Sequence, residues 1–468
     1  MLPVADQLTN FRVQVPIILC FKLDGKATHN KIIQNLVTGL SHTLVDVPFL
    51  AGRVVPEEGN NGRVSVTIGS EAGVTFKVCD LAAAGTQPPA YTYDELEAVH
   101  FASSVLDSFL PVLAPRRVED LDEPVLHIEA NFVHGGLLLA FCIHHSTSDA
   151  SAWSRVLRTW SAHTKAAAGK SNLGAGRLDP KALDRSPLFG LDNPFVLAEC
   201  PQLKAIDIPN SIPQPRAKSH AENPLDRTSY EQKIAVEPLM QGPKPVHTYW
   251  YISVKKLQLL KDAAHSATPT DPWVSTSDAL FALIWRRMNV AKGLLDDGVD
   301  SSTFWVPVDF RSRLDLHPDY MGNAMDMALA TSPMAELCSS EPNSLYKTAA
   351  RIRDAVNAID RPRVQRTLAL MDSMRPDSFT YDFDMVSGAG YCTTSFAKYD
   401  WFVHDWGCDL GKIKRARYQW QFLIDGFAMV SPKFEDGGME IAITVLPKVL
   451  GRLKVDREFT KYVEFRCC

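Results

Sequence analysis

Apolar residues recur along the N-terminal part of the chain with two different periods. Short apolar runs at Phe49–Val55 and Arg63–Ile68 are bounded by glycine-containing segments, which is typical of strands. Two further strand-like runs between Val125 and His145 are separated by Gly135-Gly136, which predicts a hairpin. Two helices are predicted from apolar positions spaced three or four residues apart: Ile32, Ile33, Leu36, Val37, Leu40 and Leu44 in the first, and Trp153, Val156, Leu157 and Trp160 in the second, which ends near Gly169.

The C-terminal part shows the same mixture of periods. Its predicted elements are, in chain order, the strand Thr248–Val254, the helices Ser277–Arg287 and Leu345–Ile359, and the strands Tyr418–Leu423, Phe427–Phe434 and Met439–Val445. The turn Asp436-Gly437-Gly438 predicts that the last two strands form a hairpin. Because strands and helices are interspersed in both parts, the pattern predicts an α/β fold with mixed sheets flanked by helices.

A proline-dense segment separates the two parts. Ten of the 30 prolines lie between Pro187 and Pro245. Proline lacks an amide donor and interrupts helices, so this segment predicts a long crossover without regular structure. We expect an N-terminal domain at residues 1–190, a crossover at 191–245 and a C-terminal domain at 246–468. The alternative is a surface insertion within one domain. A chain of 468 residues is long enough for two or three domains.

Charge and composition exclude several classes of function. The formal net charge of −5 gives no basic surplus of the kind that nucleic-acid binding needs, so no nucleic-acid partner is expected. The longest apolar run, Leu137–Ile143, is far shorter than the roughly 20 residues that span a bilayer. No basic region precedes the apolar stretch Val13–Phe21, so neither a signal peptide nor a membrane partner is expected.

The nine cysteines are scattered, apart from the adjacent Cys467 and Cys468, and form no C-x-x-C pair. A zinc ribbon or a redox motif is therefore not indicated. An odd number of scattered cysteines is typical of reduced thiols, which predicts a cytoplasmic protein. No cluster of histidines and carboxylates has the spacing of metal ligands, so no metal is expected.

Candidate chemistry concentrates where the apolar strand ends, in the sequence Phe141–Asp149. His145 and Asp149 are separated by a short polar turn, and a helix follows, for which Ser148 or Asp149 is a suitable N-cap. An imidazole with a pKa near 6.5 accepts and returns a proton at neutral pH, while Asp149 orients the ring or braces the turn. This spacing also occurs by chance. The reactive ring is alternatively His144, since neighbouring strand residues face opposite sides.

Two other catalytic patterns fail. The segment 39–43 lacks the second glycine of a nucleophile elbow and falls in a helical pattern. The segment 407–412 imitates a phosphate-binding loop, but it is one residue short, and Ile413 stands where serine or threonine is required.

The His145–Asp149 motif resembles the H-x-x-x-D-G motif of the BAHD acyl-CoA-dependent acyltransferases, and above all their fungal branch. Ala150 replaces the usual glycine, and the segment Asp405–Asp409 loosely matches the family's D-F-G-W-G motif. Three weaker blocks follow the family order and extend the resemblance over most of the chain: Pro48–Arg53, Ser275–Leu280 with Ile284–Arg286, and Asp309–Arg313 with Tyr320–Asn323.

The resemblance implies two chloramphenicol-acetyltransferase-like domains joined by the crossover, with a channel between them. Acyl-CoA and the acceptor would enter from opposite ends and meet at His145. The motif aspartate would pair with an arginine, for which Arg311 is the first candidate and Arg313 the second. Asp405 and Gly407 would support the site structurally from outside the pocket.

The resemblance also implies the reaction. An acyl group, most simply acetyl, would pass from acyl-CoA to a hydroxyl of a small secondary metabolite in a ternary complex, with His145 as general base. No tightly bound cofactor is implied, and family members are monomers. The remaining expected site residues are Lys261, Ser275 and Thr276 for the coenzyme, and Thr394, Ser395 and Phe396 for the oxyanion or the substrate pocket.

Two alternatives stay open at the level of sequence. The same fold hosts condensation-type and N-acyl transfer enzymes that use another thioester donor. A non-catalytic binding protein could also retain the fold, although the intact His145 favours an enzyme.

Overall fold

A computed structural model describes residues 1–8, 11–57, 59, 62–83, 91–110, 122–169, 176–191, 195–206, 243–265, 271–383, 388–407, 409–419 and 423–468. Residues 207–242, the central part of the predicted crossover, lie outside these ranges, as does Cys408 in the second motif.

The described residues form two large sheets and two small ones. The strands are β1 (Gln14–Lys22), β2 (Arg53–Pro56), β3 (Val64–Thr67), β4 (Phe76–Asp80), β5 (Glu123–Pro124), β6 (Leu126–Val133), β7 (Gly136–His144), β8 (Leu203–Ala205), β9 (Val246–Ile252), β10 (Ser301–Asp309), β11 (Met325–Pro333), β12 (Phe379–Tyr381), β13 (Gly390–Ser395), β14 (Arg415–Tyr418), β15 (Phe427–Val430), β16 (Met439–Val445) and β17 (Glu464–Cys467). The helices are α1 (His29–Asp46), α2 (Tyr93–Ala98), α3 (Ser103–Phe109), α4 (Ala150–Ala167), α5 (Val254–Ala263), α6 (Thr276–Lys292), α7 (Met334–Cys338), α8 (Ser344–Asn357), α9 (Arg361–Ser373), α10 (Pro447–Leu453) and α11 (Arg457–Thr460).

The N-terminal sheet has the strand order β14-β1-β7-β6-β4 and places β7 at its centre. Every residue of β7 is buried, as expected for a continuous apolar run covered on both faces. The helices α1 and α4 pack together, and the indole of Trp160 donates a hydrogen bond of 2.9 Å to the carbonyl of Leu36. The central strand therefore carries His144 and His145 to its carboxyl end.

The C-terminal sheet has the order β11-β10-β13-β15-β16-β9-β17, with α6 buried among its neighbours. Trp285 on α6 donates to Ser302 Oγ on β10 at 2.8 Å, and α6 ends at Gly293, whose φ of +80° suits glycine. Mixed sheets flanked by helices confirm the predicted α/β class.

The two halves exchange segments. The C-terminal strand β14 pairs antiparallel with β1, so the second half supplies an edge strand to the first sheet. In the opposite direction, Leu8 and Phe11 pack into the core of the C-terminal half. The N-terminal residues thus cross the junction between the halves.

Five predicted strands have different bounds. The strand predicted at 248–254 lies at Val246–Ile252, and the one predicted at 63–68 lies at Val64–Thr67. The segment Phe49–Val55 begins in a 3-10 turn, Pro48–Ala51, and becomes a strand only at Arg53, since proline favours the first position of a helical turn. The strand β15 ends at Val430, two residues before Pro432, which has no amide for the ladder. The strand predicted at 418–423 lies instead at Arg415–Tyr418, and residues 420–422 are outside the described ranges.

No helix among the described residues is both long and apolar enough to cross a membrane.

Candidate active site

The His145–Asp149 motif folds as a tight turn between β7 and α4. Residues His145–Thr147 form a single 3-10 turn, and Asp149 caps α4 by accepting hydrogen bonds from the amides of Ser151 (3.0 Å) and Ala152 (3.2 Å). Ala150, which replaces the family's glycine, is the first helical residue. An alanine suits that position, so this departure does not disturb the turn.

His145 is half-buried, and its imidazole contacts two aromatic rings. Phe11 stacks flat on it, with ring centroids 4.2 Å apart and an angle of 2° between the planes. Trp153 contacts it edge-on, at 5.0 Å. Burial lowers the pKa of His145, an effect that its own backbone and the charge of Asp149 partly oppose. The ring is therefore neutral at pH 7 and able to accept a proton.

His144 is placed very differently. Its side chain has no exposed surface, and Nδ1 accepts a hydrogen bond from the amide of Ser146 at 3.3 Å. Burial, with the neighbouring His145 ring, lowers the pKa of His144 to about 3. These surroundings favour His145 over His144 as the reactive ring. Burial also raises the pKa of the adjacent Cys142 thiol, which therefore stays protonated.

The carboxylate of Asp149 points away from His145 and into a buried ion pair. Arg311 Nη1 donates to Oδ2 and Nη2 donates to Oδ1, both at 2.9 Å. The amide of Ala324 also donates to Oδ2, at 3.0 Å. The structure thus places Asp149 as a brace that ties the His145 turn to the C-terminal half.

Arg311 is held firmly from its own side. It lies in the 3-10 turn after β10 and donates from Nη2 to the carbonyls of Tyr320 (2.8 Å) and Gly322 (2.9 Å). Burial by itself would lower the pKa of Arg311, but the charge of Asp149 and its hydrogen bonds outweigh that effect, so the pKa is raised. Arg313, the second candidate, instead donates to the carbonyls of Asp309 and Ile359.

A second buried ion pair supports the same turn. Asp6, which has no exposed surface, pairs with Arg185, and Arg185 donates to the carbonyl of Thr147 at 2.8 Å. Asn323 Nδ2 donates both to Asp6 (2.7 Å) and to the carbonyl of His145 (2.8 Å). Phe11, Asp6 and Arg185 were not predicted as site residues, because nothing local in the sequence indicates that they meet the turn.

The predicted coenzyme residues lie in one cluster. Ser275 caps α6 in a reciprocal pair with Asp278, whose amide donates to Ser275 Oγ at 3.1 Å, and Thr276 is the first helical residue. Lys261 donates to the carbonyl of Val274 and lies 4.7 Å from the ring centroid of Trp273. Burial lowers the pKa of Lys261, although Asp278 opposes this. Because the Asp278 amide donates to it, the hydroxyl of Ser275 is already engaged as a helix cap.

The predicted pocket residues lie at the end of β13. Thr394 and Ser395 are partly exposed, and Ser395 Oγ accepts from the amide of Ala397 at 3.3 Å. Phe396 is buried against Trp153, with ring centroids 6.5 Å apart, and so joins the aromatic group around His145. No hydrogen bond within the described residues joins Thr394 or Ser395 to His145.

The second motif lies at the far end of α4. Asp405 accepts from the amide of Gly407 at 3.0 Å and pairs with Lys165 at 2.9 Å. Gly407 has a φ of +101°, and an added Cβ would lie 3.1 Å from the Cβ of Ala168. Asp409, which stands where the family motif has its last glycine, accepts a hydrogen bond from Asn35 Nδ2 at 2.9 Å. These contacts fasten the segment to α4 and α1 and leave the region of His145 untouched.

The chain is similar to known proteins over nearly its whole length. A family model described as the transferase family matches residues 1–460. The chain belongs to this family. It is the BAHD family that the sequence motifs resemble, so that prediction is confirmed.

Individual relatives extend over nearly the whole chain. An acyltransferase of Emericella nidulans, easC, is 29% identical over 97% of this chain and 93% of its own length. Trichothecene 3-O-acetyltransferase TRI101 of Fusarium sporotrichioides is 27% identical over 99% of this chain and 96% of its own length. The crystal structure of F. graminearum TRI101 with coenzyme A and T-2 mycotoxin matches 99% of this chain and 98% of its own, with a TM-score of 0.80 and 21% identity.

No group of three histidine, cysteine or acidic side chains in the described part of the chain is arranged to hold a metal ion.

Proposed function

We propose that this protein transfers an acyl group, most simply acetyl, from acyl-CoA to a hydroxyl of a small secondary metabolite. Membership of the transferase family supports acyl transfer, and the relatives are named acyltransferases and acetyltransferases. TRI101, which matches the fold of this chain, was crystallised with coenzyme A and a mycotoxin. Coenzyme A acts here as a co-substrate.

One observation carries the proposal most directly: the state of His145. His145 is half-buried at the junction of the two halves, and burial lowers the pKa of its ring, so a neutral base is available. Asp149 is occupied by Arg311, by two amides of α4 and by the amide of Ala324, which leaves the imidazole as the base. We propose that the two substrates reach this ring from opposite sides through a channel between the halves.

The proposed reaction is a direct transfer in a ternary complex. His145 takes the proton of the acceptor hydroxyl while the oxygen attacks the thioester carbonyl. The new C–O bond forms, the C–S bond breaks, and the imidazolium returns the proton to the departing thiolate. General-base assistance of this kind contributes roughly 10²–10⁴-fold. No acyl-enzyme forms, which agrees with the protonated Cys142 thiol.

The other site residues take supporting roles in the proposal. Lys261 and Thr276 bind the phosphates and the pantetheine arm of the coenzyme, while Ser275 contributes through the helix that it caps. Thr394 or Ser395 donates to the oxyanion, and Phe396 lines the acceptor pocket. Asp149, Arg311, Asp405 and Gly407 hold the framework. The division into domains at residues 1–190 and 246–468, with a crossover at 191–245, belongs to the same proposal.

Product analysis tests this function. The protein is incubated with isotopically labelled acetyl-CoA and an extract of fungal metabolites, and the products are followed by mass spectrometry. The expected result is a labelled ester of a hydroxylated metabolite. Label found only on amines would indicate N-acyl transfer, and transfer only from a carrier-protein thioester would indicate a condensation-type enzyme; either result would refute the proposed reaction. Specific binding of acetyl-CoA without any labelled product would refute catalysis.

We further propose a monomer that acts in the cytoplasm without a nucleic-acid or membrane partner. The cysteines of the described residues are all unpaired, which suits a reducing compartment. The net charge of −5 disfavours a polyanionic partner.

A further inference from the structure

Phe11 is the residue whose position the proposed function does not explain. Its ring stacks flat on the imidazole of His145, at 4.2 Å and 2°. In sequence it lies far from the H-x-x-x-D motif and belongs to the N-terminal segment that crosses between the halves. Neither its apolar character nor its burial requires a parallel stack on this particular side chain.

The backbone holds the two rings together on both sides. The amide of His145 donates to the carbonyl of Val13 at 2.8 Å, and Ser146 Oγ donates to the carbonyl of Phe11 at 3.2 Å. The amide of Val13 also donates to the carbonyl of Phe11, at 2.8 Å. Phe11 is thereby positioned by the same turn that carries the base, and the stack does not depend on a mobile surface contact.

The proposed reaction places a positive charge on His145 in the transition state. Among the described residues no carboxylate hydrogen-bonds to the imidazole: the charge of Asp149 favours the imidazolium, but both of its carboxylate oxygens are bound to Arg311. Nδ1 of His145 is buried and makes no hydrogen bond of standard geometry within the described residues. A cation held over the face of an aromatic ring is attracted by the ring's quadrupole, and more strongly in a desolvated site.

We propose that Phe11 is a positioning residue of the transfer reaction: its ring fixes the orientation of the His145 imidazole and stabilises the imidazolium that forms when the acceptor's proton is taken. This inference rests on the proposed function. None of the titratable and charged side chains near this turn changes in the test: Asp149 and His144 interact with the His145 ring, Arg12 acts on His144, and Arg311, Asp6 and Arg185 hold the turn.

The test is a graded series of fluorinated phenylalanines at position 11, together with Phe11→Leu. Fluorine withdraws electron density from the ring face but nearly preserves its shape, so packing stays constant while the cation attraction weakens. With each added fluorine, the acid limb of the kcat/KM profile is expected to move to lower pH. In Phe11→Leu the shift reaches roughly half to one and a half pH units. In the same variant, the kcat/KM value on the plateau above the acid limb is expected to fall about two- to tenfold.

The chain offers a matched control. Phe132 stacks on His29 with ring centroids 4.0 Å apart and an 18° angle, in a pair outside the site. The same fluorinated residues at position 132 are expected to leave the pH profile unchanged. A fluorinated series at position 11 that leaves both the acid limb and the plateau unmoved would overturn the proposal, even if Phe11→Leu fails to fold.

A titration of the His145 ring by NMR separates this proposal from the proposed function. The pKa of His145 is expected to fall along the fluorinated series whether or not turnover is measured, and an unchanged pKa overturns the role of Phe11. Suppose that wild-type protein transfers acetyl and His145→Ala does not. If the pKa of His145 then stays constant along the fluorinated series, only the inference on Phe11 fails. If His145→Ala transfers as fast as wild type, the assignment of His145 as the base fails, and if wild-type protein transfers no acyl group at all, the proposed function fails.

Discussion

Removing the ion pair between Asp149 and Arg311 is predicted to lower the free energy of unfolding. Replacing Asp149 with alanine removes the N-cap of α4 and leaves the guanidinium of Arg311 buried without its carboxylate. The side chains of both partners are less than one-tenth exposed, so water cannot replace the lost contacts. The change is therefore expected to weaken folding as well as catalysis.

The magnitude follows from two contributions. Loss of an aspartate N-cap costs about 1 kcal/mol. Breaking a buried pair by removing one partner costs about 3–5 kcal/mol. Arg311 keeps a hydrogen bond of 3.2 Å to Asp309 and its bonds to backbone carbonyls, which reduces the second contribution. We expect Asp149→Ala to lower the free energy of unfolding by about 4 kcal/mol, and Asp149→Asn, which keeps the cap, to lower it less.

Urea unfolding followed by tryptophan fluorescence measures the change. The matched control is Asp360→Ala, because Asp360 caps α9 through the amide of Arg363 (2.8 Å) but is exposed and lies outside this ion pair. The control is expected to lose only about 1 kcal/mol. Combining Asp149→Ala with Arg311→Met is expected to cost less than the sum of the two single changes. Equal losses for Asp149→Ala and the control, or additive single changes, would refute the bracing role.

Three further expectations concern pH, a glycine and the coenzyme. Because burial lowers the pKa of His145 below its ordinary 6.5, the base stays neutral to lower pH, and kcat/KM is expected to fall only below about pH 6.5; an acid limb centred above pH 7 would contradict this. Gly407 has a φ of +101° and lies close to Ala168, so Gly407→Ala is expected to lower the free energy of unfolding, measured by thermal unfolding, by about 1–3 kcal/mol without changing KM. The control Gly451→Ala, whose added Cβ meets open space, is expected to be neutral or stabilising. Lys261→Met is expected to raise KM for acetyl-CoA with little change in kcat. The same variant is expected to keep the wild-type KM for an acetyl-pantetheine that lacks the phosphates. A variant whose KM for acetyl-CoA equals that of wild type would exclude a contact between Lys261 and the phosphates.

Local patterns predicted the elements around the site well. The hairpin signal Gly135-Gly136 marks the turn from β6 into β7, whose first residue is Gly136, and the strand predicted at Met439–Val445 has the same bounds in the structure. These elements are set by alternation and turn chemistry within a few residues. The strand β14 could not be assigned to the N-terminal sheet, because pairing between distant segments leaves no trace in local periodicity.

The same distinction applies to the site. The turn at His145 and the cap at Asp149 follow from residues within the motif. Phe11 and Asp6 reach the turn from the start of the chain, and Arg185 reaches it from beyond α4. Such contacts are decided by tertiary packing, so they became visible only in three dimensions.

The rate of acetyl transfer by His145→Ala, compared with wild type, tests the central claim most directly. Both proteins are assayed at saturating acetyl-CoA with the acceptor found by product analysis, after circular dichroism has established equal folding. Without its general base the variant is expected to lose roughly 10²–10⁴-fold in kcat, and added imidazole is expected to restore part of that loss. A variant that transfers acetyl at the wild-type rate would contradict the assignment of His145 as the base.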